Sequence, residues 1–400
     1  MTRSPLHDEH LALGATLVEF AGWDMPVRYS SDVAEHLAVR TAAGLFDISH
    51  MGEIAVRGAD AAAGLDAAVV SGMERLAIGS AKYTMLCTPG GGVIDDLIVY
   101  RRDWDHFLIV ANASNVDTVT AELTERLADY DATVANITSD VSLIAVQGPQ
   151  SEGIVAAMCA SGADDVRALK NYTWCTVLLQ GDIHAMVART GYTGENGFEL
   201  FVVPGDAVEV WRLALACGTP DGLIPCGLSA RDTLRLEAGM PLYGHELTLA
   251  TTPYDAGLSW VVQTGAARVL RRPDVEGAVH MSAEPEPRGD FVGREALALA
   301  KKRSVEFAAD PVSAPEEARI LVGLVGAPGR AARSGFFIFK GDVQVGIVSS
   351  GAPSPTLGVP VAMAMVHPSV AEVGTILEID VRGRRETMTV AALPLYTRAS

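Results

Sequence analysis

The sequence predicts an α+β chain that ends in a small all-β barrel or sandwich. Three observations carry the prediction. Strand-like runs such as "IAVRG", "DDLIVYR", "FLIVANA" and "SLIAVQG" interleave with helical periodicity, without strict βαβ order. Six short apolar runs, from "ILVGLVG" to "ETMTVAAL", then follow at close spacing, punctuated by Gly, Pro and Asp. At 400 residues the chain is too long for one ordinary core, so two or three domains are expected.

The elements follow in order. Residues 32–43 read as a helix: Asp32 can cap it, Glu35 stands three residues on, and Gly44 can end it. The stretch "GGGVIDDLIVY" (90–100) reads as a strand after a tight turn. Alternation puts Val93, Asp95, Leu97 and Val99 on one face and Ile94, Asp96, Ile98 and Tyr100 on the other. Each face carries one carboxylate among apolar neighbours, and a buried unpaired charge is expensive. "NASNVDTVTAELTERLADY" sets Val116, Val119, Leu123 and Leu127 on one helical face, and "QSEGIVAAMCA" reads as a short helix. Residues 265–289 hold prolines and charges with little apolar periodicity and read as a linker or surface insertion. "FVGREALALAKKR" then reads as a helix before the β-rich end.

Hydrophobic residues at 49% and charged residues at 20% read as globular rather than disordered. A formal charge of -18, with no concentrated Lys/Arg face, makes nucleic acid a poor partner. A local pocket can still take an anionic small ligand. "MTRSPLHDEH" has no apolar core of a secretory signal, and no apolar run spans a bilayer. Cys87, Cys159, Cys175, Cys217 and Cys226 form no C-x-x-C pair, which suits reduced thiols in the cytoplasm. No metal site is expected.

Seven stretches combine special backbone residues with polar groups. They are "FAGWDMP", "LFDISHMGE", "GGGVIDDLIVY", "VQGPQ", "RTGYTGENGFEL", "CGLSARDTLRLEAGMPLYGHE" and "SSGAPSPTLG". Singly each is a weak pattern. As an ordered set running nearly end to end they resemble the T-protein of the glycine cleavage system, an aminomethyltransferase. The resemblance implies two α+β folate-binding domains and a C-terminal small β-barrel, arranged as a cloverleaf around a central folate site. Residues 1–264 would form the folate-binding region, with roughly 53–137 inserted as one subdomain in the other. Residues 265–289 would be the insertion, and 290–400 the C-terminal helix and barrel.

The resemblance also implies tetrahydrofolate as co-substrate and lipoylated H-protein as a transient partner of a monomer. The products would be ammonia, 5,10-methylenetetrahydrofolate and a dihydrolipoyl arm. By position in its motif Asp96 matches the family's catalytic aspartate; such chemistry asks for a carboxylate to orient the nucleophile and to handle protons and developing positive charge. Asp95, with no matched role, is expected to bond to a loop or helix end. Tyr192 and Glu199 match residues that hold the pterin, and Arg231 a folate-contacting arginine. Met51, Tyr83, Tyr100, Asn112 and Tyr172 sit where the family lines the folate slot. The bland alternatives are a satisfied structural carboxylate for Asp96, a solvated hairpin Glu for Glu199, a helix ion pair for Arg231 and ordinary core for the other five. Arg235 is the better candidate for the helix ion pair.

"FDISHM" invites a triad from Asp47, Ser49 and His50, but adjacent residues rarely converge on one atom, and loop shaping beside Met51 is the expectation. Arg398 is the one candidate in the tail "LPLYTRAS" for a basic contact to the folate glutamate. Three further readings share the folate-binding fold: a folate-dependent demethylase, a non-catalytic folate-binding protein of iron–sulfur assembly, and a dimethylglycine- or sarcosine-oxidising enzyme, whose FAD domain would need an N-terminal G-x-G-x-x-G that this chain does not show. The second carries a Cys-containing motif where this chain reads "LEAGMPLYGHE".

Overall fold

The computed structural model describes residues 1–271, 280–282 and 284–398. Two antiparallel-rich sheets and a closed barrel organise them. The first sheet runs, edge to edge, through Cys159–Ser161, Trp174–Leu179, Ile183–Ala188, Gly197–Val202, Ser142–Gln147, Ala43–Asp47 and Leu223–Pro225. The second runs through Ala81–Cys87, Val93–Asp103, His106–Ala111, Gly52–Arg57 and Thr133–Asn136. All strands of the second sheet lie in sequence between two neighbours in the first, Ala43–Asp47 and Ser142–Gln147.

Three apolar layers explain this stacking. Helices Ser151–Met158 and Ala207–Gly218 cover the outer face of the first sheet, with Trp211 and Phe198 fully buried. Helices Ala61–Ala68 and Val116–Arg126 cover the outer face of the second. Val119, Leu123 and Leu127 are buried there and Val116 packs beside them, as the helical spacing predicts. Between the sheets lies a third cluster, in which Tyr100, Leu108 and Val110 of one sheet meet Phe46, Leu143 and Phe201 of the other. The inner face of each sheet therefore borders on whatever is held at the mouth of this layer.

The C-terminal strands close into a six-stranded barrel, which decides between barrel and sandwich. The barrel touches the rest of the chain through Leu236, on helix Leu228–Glu237, packed with Ala352, Val361 and Met363. No helix of the described residues is long and apolar enough to cross a membrane.

Several expectations change at close range. Ser31, not Asp32, caps helix Asp32–Thr41, its hydroxyl accepting from the Ala34 N–H. The carboxylate of Glu35 turns back to accept from the N–H groups of Tyr29, Ser30 and Gly227. Gly44 does not end the helix; it lies inside strand Ala43–Asp47. A Cβ there would stand 2.4 Å from Val39 and 2.7 Å from the Cys226 sulfur, so close packing is its reason. Residues 272–279 and 283 of the proposed insertion lie outside the described residues. Its flanks are paired: Leu270 and Arg271 ladder with Met281 and His280, and Arg288 is buried, 3.0 Å from Asp66 and donating to the carbonyls of Val69 and Val70.

Glu53 is a buried cost. Both its carboxylate oxygens are sealed from solvent without a hydrogen-bond partner among the described residues, and burial pushes its pKa well above the usual range. A carboxyl whose affinity for protons rises on folding destabilises the fold increasingly as pH climbs above its ordinary value. Glu53→Gln is therefore expected to gain stability over the parent at pH 8 relative to pH 5, by about 1–3 kcal/mol. Thermal melts at the two pH values check this; equal differences at both would mean that Glu53 is solvated or paired in solution.

Candidate active site

The strand Val93–Asp103 positions the central carboxylate. A bulge near its start shifts the ladder between Leu86 and Cys87, and simple alternation fails there. Ile94 drops to the outer face with Leu97 and Val99, while Val93 joins Met85 and Cys87 elsewhere. The expected grouping of Ile94 with Asp96 is thus corrected by one extra residue. Beyond the bulge alternation holds: Asp96 lies opposite Met85, Ile98 opposite Tyr83 and Val110, and Tyr100 opposite Ala81 and Leu108. Asp96, Ile98 and Tyr100 therefore share the inner face.

Asp96 is tied down at both oxygens. The Tyr83 hydroxyl donates to Oδ2 at 2.9 Å, and the Asn112 amide donates to Oδ1 at 2.8 Å. Burial raises its pKa, and those two donors pull it back. Asp95, on the opposite face, is fully buried and accepts from the Asn112 N–H and from the side-chain amides of Asn112 and Asn115. Asn115 is the residue that begins helix Val116–Arg126, so Asp95 sits at a helix end as the sequence suggests. Its link to Asp96 through one shared amide was not visible in the sequence.

A second carboxylate stands on strand Gly197–Val202. Glu199 accepts from the hydroxyls of Thr190 and Tyr100, the latter at 3.3 Å. Burial pushes its pKa up, opposed by Thr190, by the charge of Arg231 and by Tyr100. Tyr172 stands at the rim, 40% exposed, in the left-handed region with φ 60°. Its pKa is raised by burial and by the charges of Glu199 and Asp96. Tyr192 is half-buried, its hydroxyl donating to the Pro241 carbonyl, and the Arg231 guanidinium lies 4.8 Å from its ring centre.

Arg231 differs from its neighbour Arg235. Arg235 forms ion pairs with Asp232 at 2.7 Å and Glu246 at 3.0 Å, which is the structural role expected of it. The Arg231 guanidinium has no hydrogen-bond acceptor and no ion-pair partner among the described residues. The helix Leu228–Glu237 thus presents one satisfied arginine and one available arginine.

Tyr83 and Asn112 meet at Asp96, Tyr100 meets Glu199, Arg231 lies over Tyr192, and the Tyr172 carbonyl accepts from the Ala81 N–H on the strand that carries Tyr83. Met51 packs into the inter-sheet layer beside them, and its side chain makes no hydrogen bond among the described residues. Arg398 makes no hydrogen bond or ion pair among the described residues; the tail is held instead by Tyr396, whose hydroxyl reaches Glu195 and whose N–H reaches the Glu237 carbonyl. Asp47, Ser49 and His50 form no relay. Asp47 accepts from Ser4, from the Ser49 N–H and across 2.8 Å from His10, while His50 is buried with Nδ1 unpartnered. Burial and the Arg231 charge, against the pull of Asp47, bring His50 down to about 4 and keep it neutral near pH 7. Two participants escaped sequence reasoning. Thr190 is the second residue of "RTGYTGENGFEL" but carries no distinguishing spacing. Trp260, 63% exposed and 5.9 Å from the Tyr83 ring, stands alone in an unremarkable stretch.

The arrangement offers a proton acceptor at Asp96, a carboxylate at Glu199 able to take paired donors, an available cation and several aromatic faces. Two family models match the chain: the GCVT N-terminal domain over residues 6–266 and the glycine cleavage T-protein C-terminal barrel domain over residues 319–397. The chain belongs to the glycine cleavage T-protein family. It is 48% identical to the aminomethyltransferase of Streptomyces coelicolor, across 100% of this chain and 98% of that one. It is 36% identical to the aminomethyltransferase of Bacillus pumilus, across 100% of both. The crystal structure of the glycine cleavage system aminomethyltransferase T from Bartonella henselae superposes with a TM-score of 0.84 at 32% identity, across 99% of this chain and 98% of that one. The chain is an aminomethyltransferase of the glycine cleavage system, and these relatives outweigh the demethylase and iron–sulfur readings over its full length. Its barrel and its mixed sheets match the fold class expected from the sequence.

Proposed function

We propose that this aminomethyltransferase moves the one-carbon unit of an S-aminomethyldihydrolipoyl group, carried by H-protein, to tetrahydrofolate. Ammonia leaves by cleavage of the C–N bond, the dihydrolipoyl thiol by cleavage of the C–S bond, and 5,10-methylenetetrahydrofolate forms. The observation that carries the reading is the pair of carboxylates held by hydrogen bonds, Asp96 by Tyr83 and Asn112 and Glu199 by Thr190 and Tyr100, beside an Arg231 guanidinium that lies over the Tyr192 ring.

The residues suit a reduced folate. Its aminopyrimidine edge presents parallel N–H donors, and a carboxylate such as Glu199 accepts two of them. Tyr83, Tyr172 and Tyr192 provide aromatic surface for a flat ring. Arg231 remains free for a carbonyl or carboxylate of the same ligand. When bound, tetrahydrofolate supplies the amine nitrogens that capture the carbon. Asp96, oriented by Tyr83 and Asn112, holds or takes the proton and stabilises positive charge as ammonia departs. The reading carries with it a cytoplasmic monomer that docks H-protein transiently, with residues 1–264 as the folate-binding region.

The test is methylenetetrahydrofolate formation from aminomethylated H-protein and tetrahydrofolate; no product under saturating substrates would overturn the reading. Within it, Glu199→Ala is expected to weaken folate binding by about 1–3 kcal/mol, the cost of lost charge-assisted hydrogen bonds. Calorimetric titration with a stable folate measures this. Unchanged affinity would remove Glu199 from the site.

A further inference from the structure

We propose that Asp95 is a positioning residue of the transfer site: acting through Asn112, it sets the place and proton affinity of Asp96. The inference rests on the transferase reading above and deepens it.

The geometry is a chain of donors and acceptors. Asn115 Nδ2 donates to Asp95 Oδ1 at 2.8 Å. Asn112 Nδ2 donates to the same Asp95 oxygen at 2.8 Å and to Asp96 Oδ1 at 2.8 Å. The Asn112 N–H adds a third bond, to Asp95 Oδ2 at 3.0 Å. An amide nitrogen has two hydrogens, and here each carboxylate takes one. Turning the Asn112 amide over would aim its carbonyl at two carboxylates. Asp95 therefore locks Asn112, and Asn112 locks Asp96. Alternation turned the two side chains to opposite faces; the residue beyond the adjacent strand end rejoins them.

The electrostatics give Asp95 a second lever. Among the described residues neither carboxylate has an ion-pair partner. Asp95 faces Asn112, Asn115, Asp96 and Tyr243, whose hydroxyl is pushed up by burial and by the Asp95 charge. Asp96 faces Tyr83, Asn112, Tyr172, Tyr192 and Glu246. Compensation comes from N–H and O–H donors alone, so two like charges in one buried site oppose each other's ionisation and titrate as a pair. Burial and the Asp96 charge push Asp95 up to about 7. A buried second acid beside the first is a poor choice for stability alone, since a neutral residue would relieve the repulsion.

With Asp96 charged, Asp95 takes the pair's first proton, at about 7; above that pH the charged Asp95 makes Asp96 the stronger base, and Asp95→Asn removes that lift. The acid limb that follows the pair's first protonation is then lost, and the remaining limb, where Asp96 itself takes a proton, lies at lower pH. In steady-state turnover of the full chain with aminomethylated H-protein and tetrahydrofolate, Asp95→Asn is expected to lower kcat at pH 7.5 about tenfold and to keep KM for the folate within about threefold. Its acid limb should fall by about one pH unit. A lower melting temperature with kcat and acid limb unmoved would make Asp95 purely structural and overturn the proposal. Should Asp95→Asn not fold, Asn115→Ala serves. It removes one donor, so Asp95 takes its proton at higher pH. The limb that follows the pair's first protonation should then move up, and an unmoved limb overturns the proposal too. Asp96→Asn in parallel separates the failures. If it is inactive while Asp95→Asn matches the parent, only the positioning role falls. If Asp96→Asn turns over like the parent, the role given to Asp96 falls and the Asp95 proposal falls with it.

Discussion

Asp96→Asn is expected to bind tetrahydrofolate within about tenfold of the parent while turnover falls by a factor on the order of 10² or more. The substitution keeps the volume of the side chain. Tyr83 can rotate its hydroxyl and accept where it formerly donated, so the pocket wall survives. What disappears is the proton acceptor and the negative charge that faces the developing cation. The Tyr83 and Asn112 bonds hold that charge in place before the reaction, so it costs no reorganisation during it. Folate affinity by titration and turnover by methylenetetrahydrofolate formation separate the two effects. Loss of binding in proportion to loss of rate would show that Asp96 holds the ligand rather than assisting transfer. Parent-like turnover would assign the proton to another group.

The second large effect concerns assembly. Glu237→Ala is expected to cost about 3–5 kcal/mol of stability, since it strips a buried ionic network of its centre. One Glu237 oxygen accepts from Arg40 at 2.9 Å and from Thr356 at 2.7 Å, and meets His36 across 3.1 Å. The other accepts from the Ser354 hydroxyl and from the Thr356 N–H at 3.2 Å. Helix Asp32–Thr41, helix Leu228–Glu237 and the barrel loop that carries Ser354 and Thr356 thus meet at one carboxylate. Burial raises its proton affinity, but the bonds from His36, Ser354 and Thr356 and the His36 charge outweigh burial and bring it to about 2. A carboxyl depressed on folding stabilises fully above its ordinary value near 4.5, and the contribution is lost as pH falls through about 2. Denaturant melts of parent and variant from pH 7 to pH 2 should therefore converge at the acid end. A constant difference across that range would mean that the Ala variant loses packing and not charge.

The sequence alone determined the class of the fold. Alternating and helical periods exist before folding because burial acts on every residue, and they placed the helix Val116–Arg126, the strand around Asp96 and the β-rich end. It also determined the family, since the motifs lie in a fixed order along the chain. Tertiary structure decided what no local pattern holds. The bulge that sends Ile94 away from Asp96 depends on the partner strand's register. Gly44 serves close approach of Val39 and Cys226, which are near only in space. The sequence could assign the helix ion pair to Arg235 rather than Arg231; only the folded chain brings the distant Glu246 to Arg235 and lays Arg231 over the Tyr192 ring. The same reason separates Asp95 from an idle structural role. Its bond to the amide that also holds Asp96 spans Asn112 on the next strand's end, and a hydrogen bond between strands is set by register, which a single sequence does not encode locally.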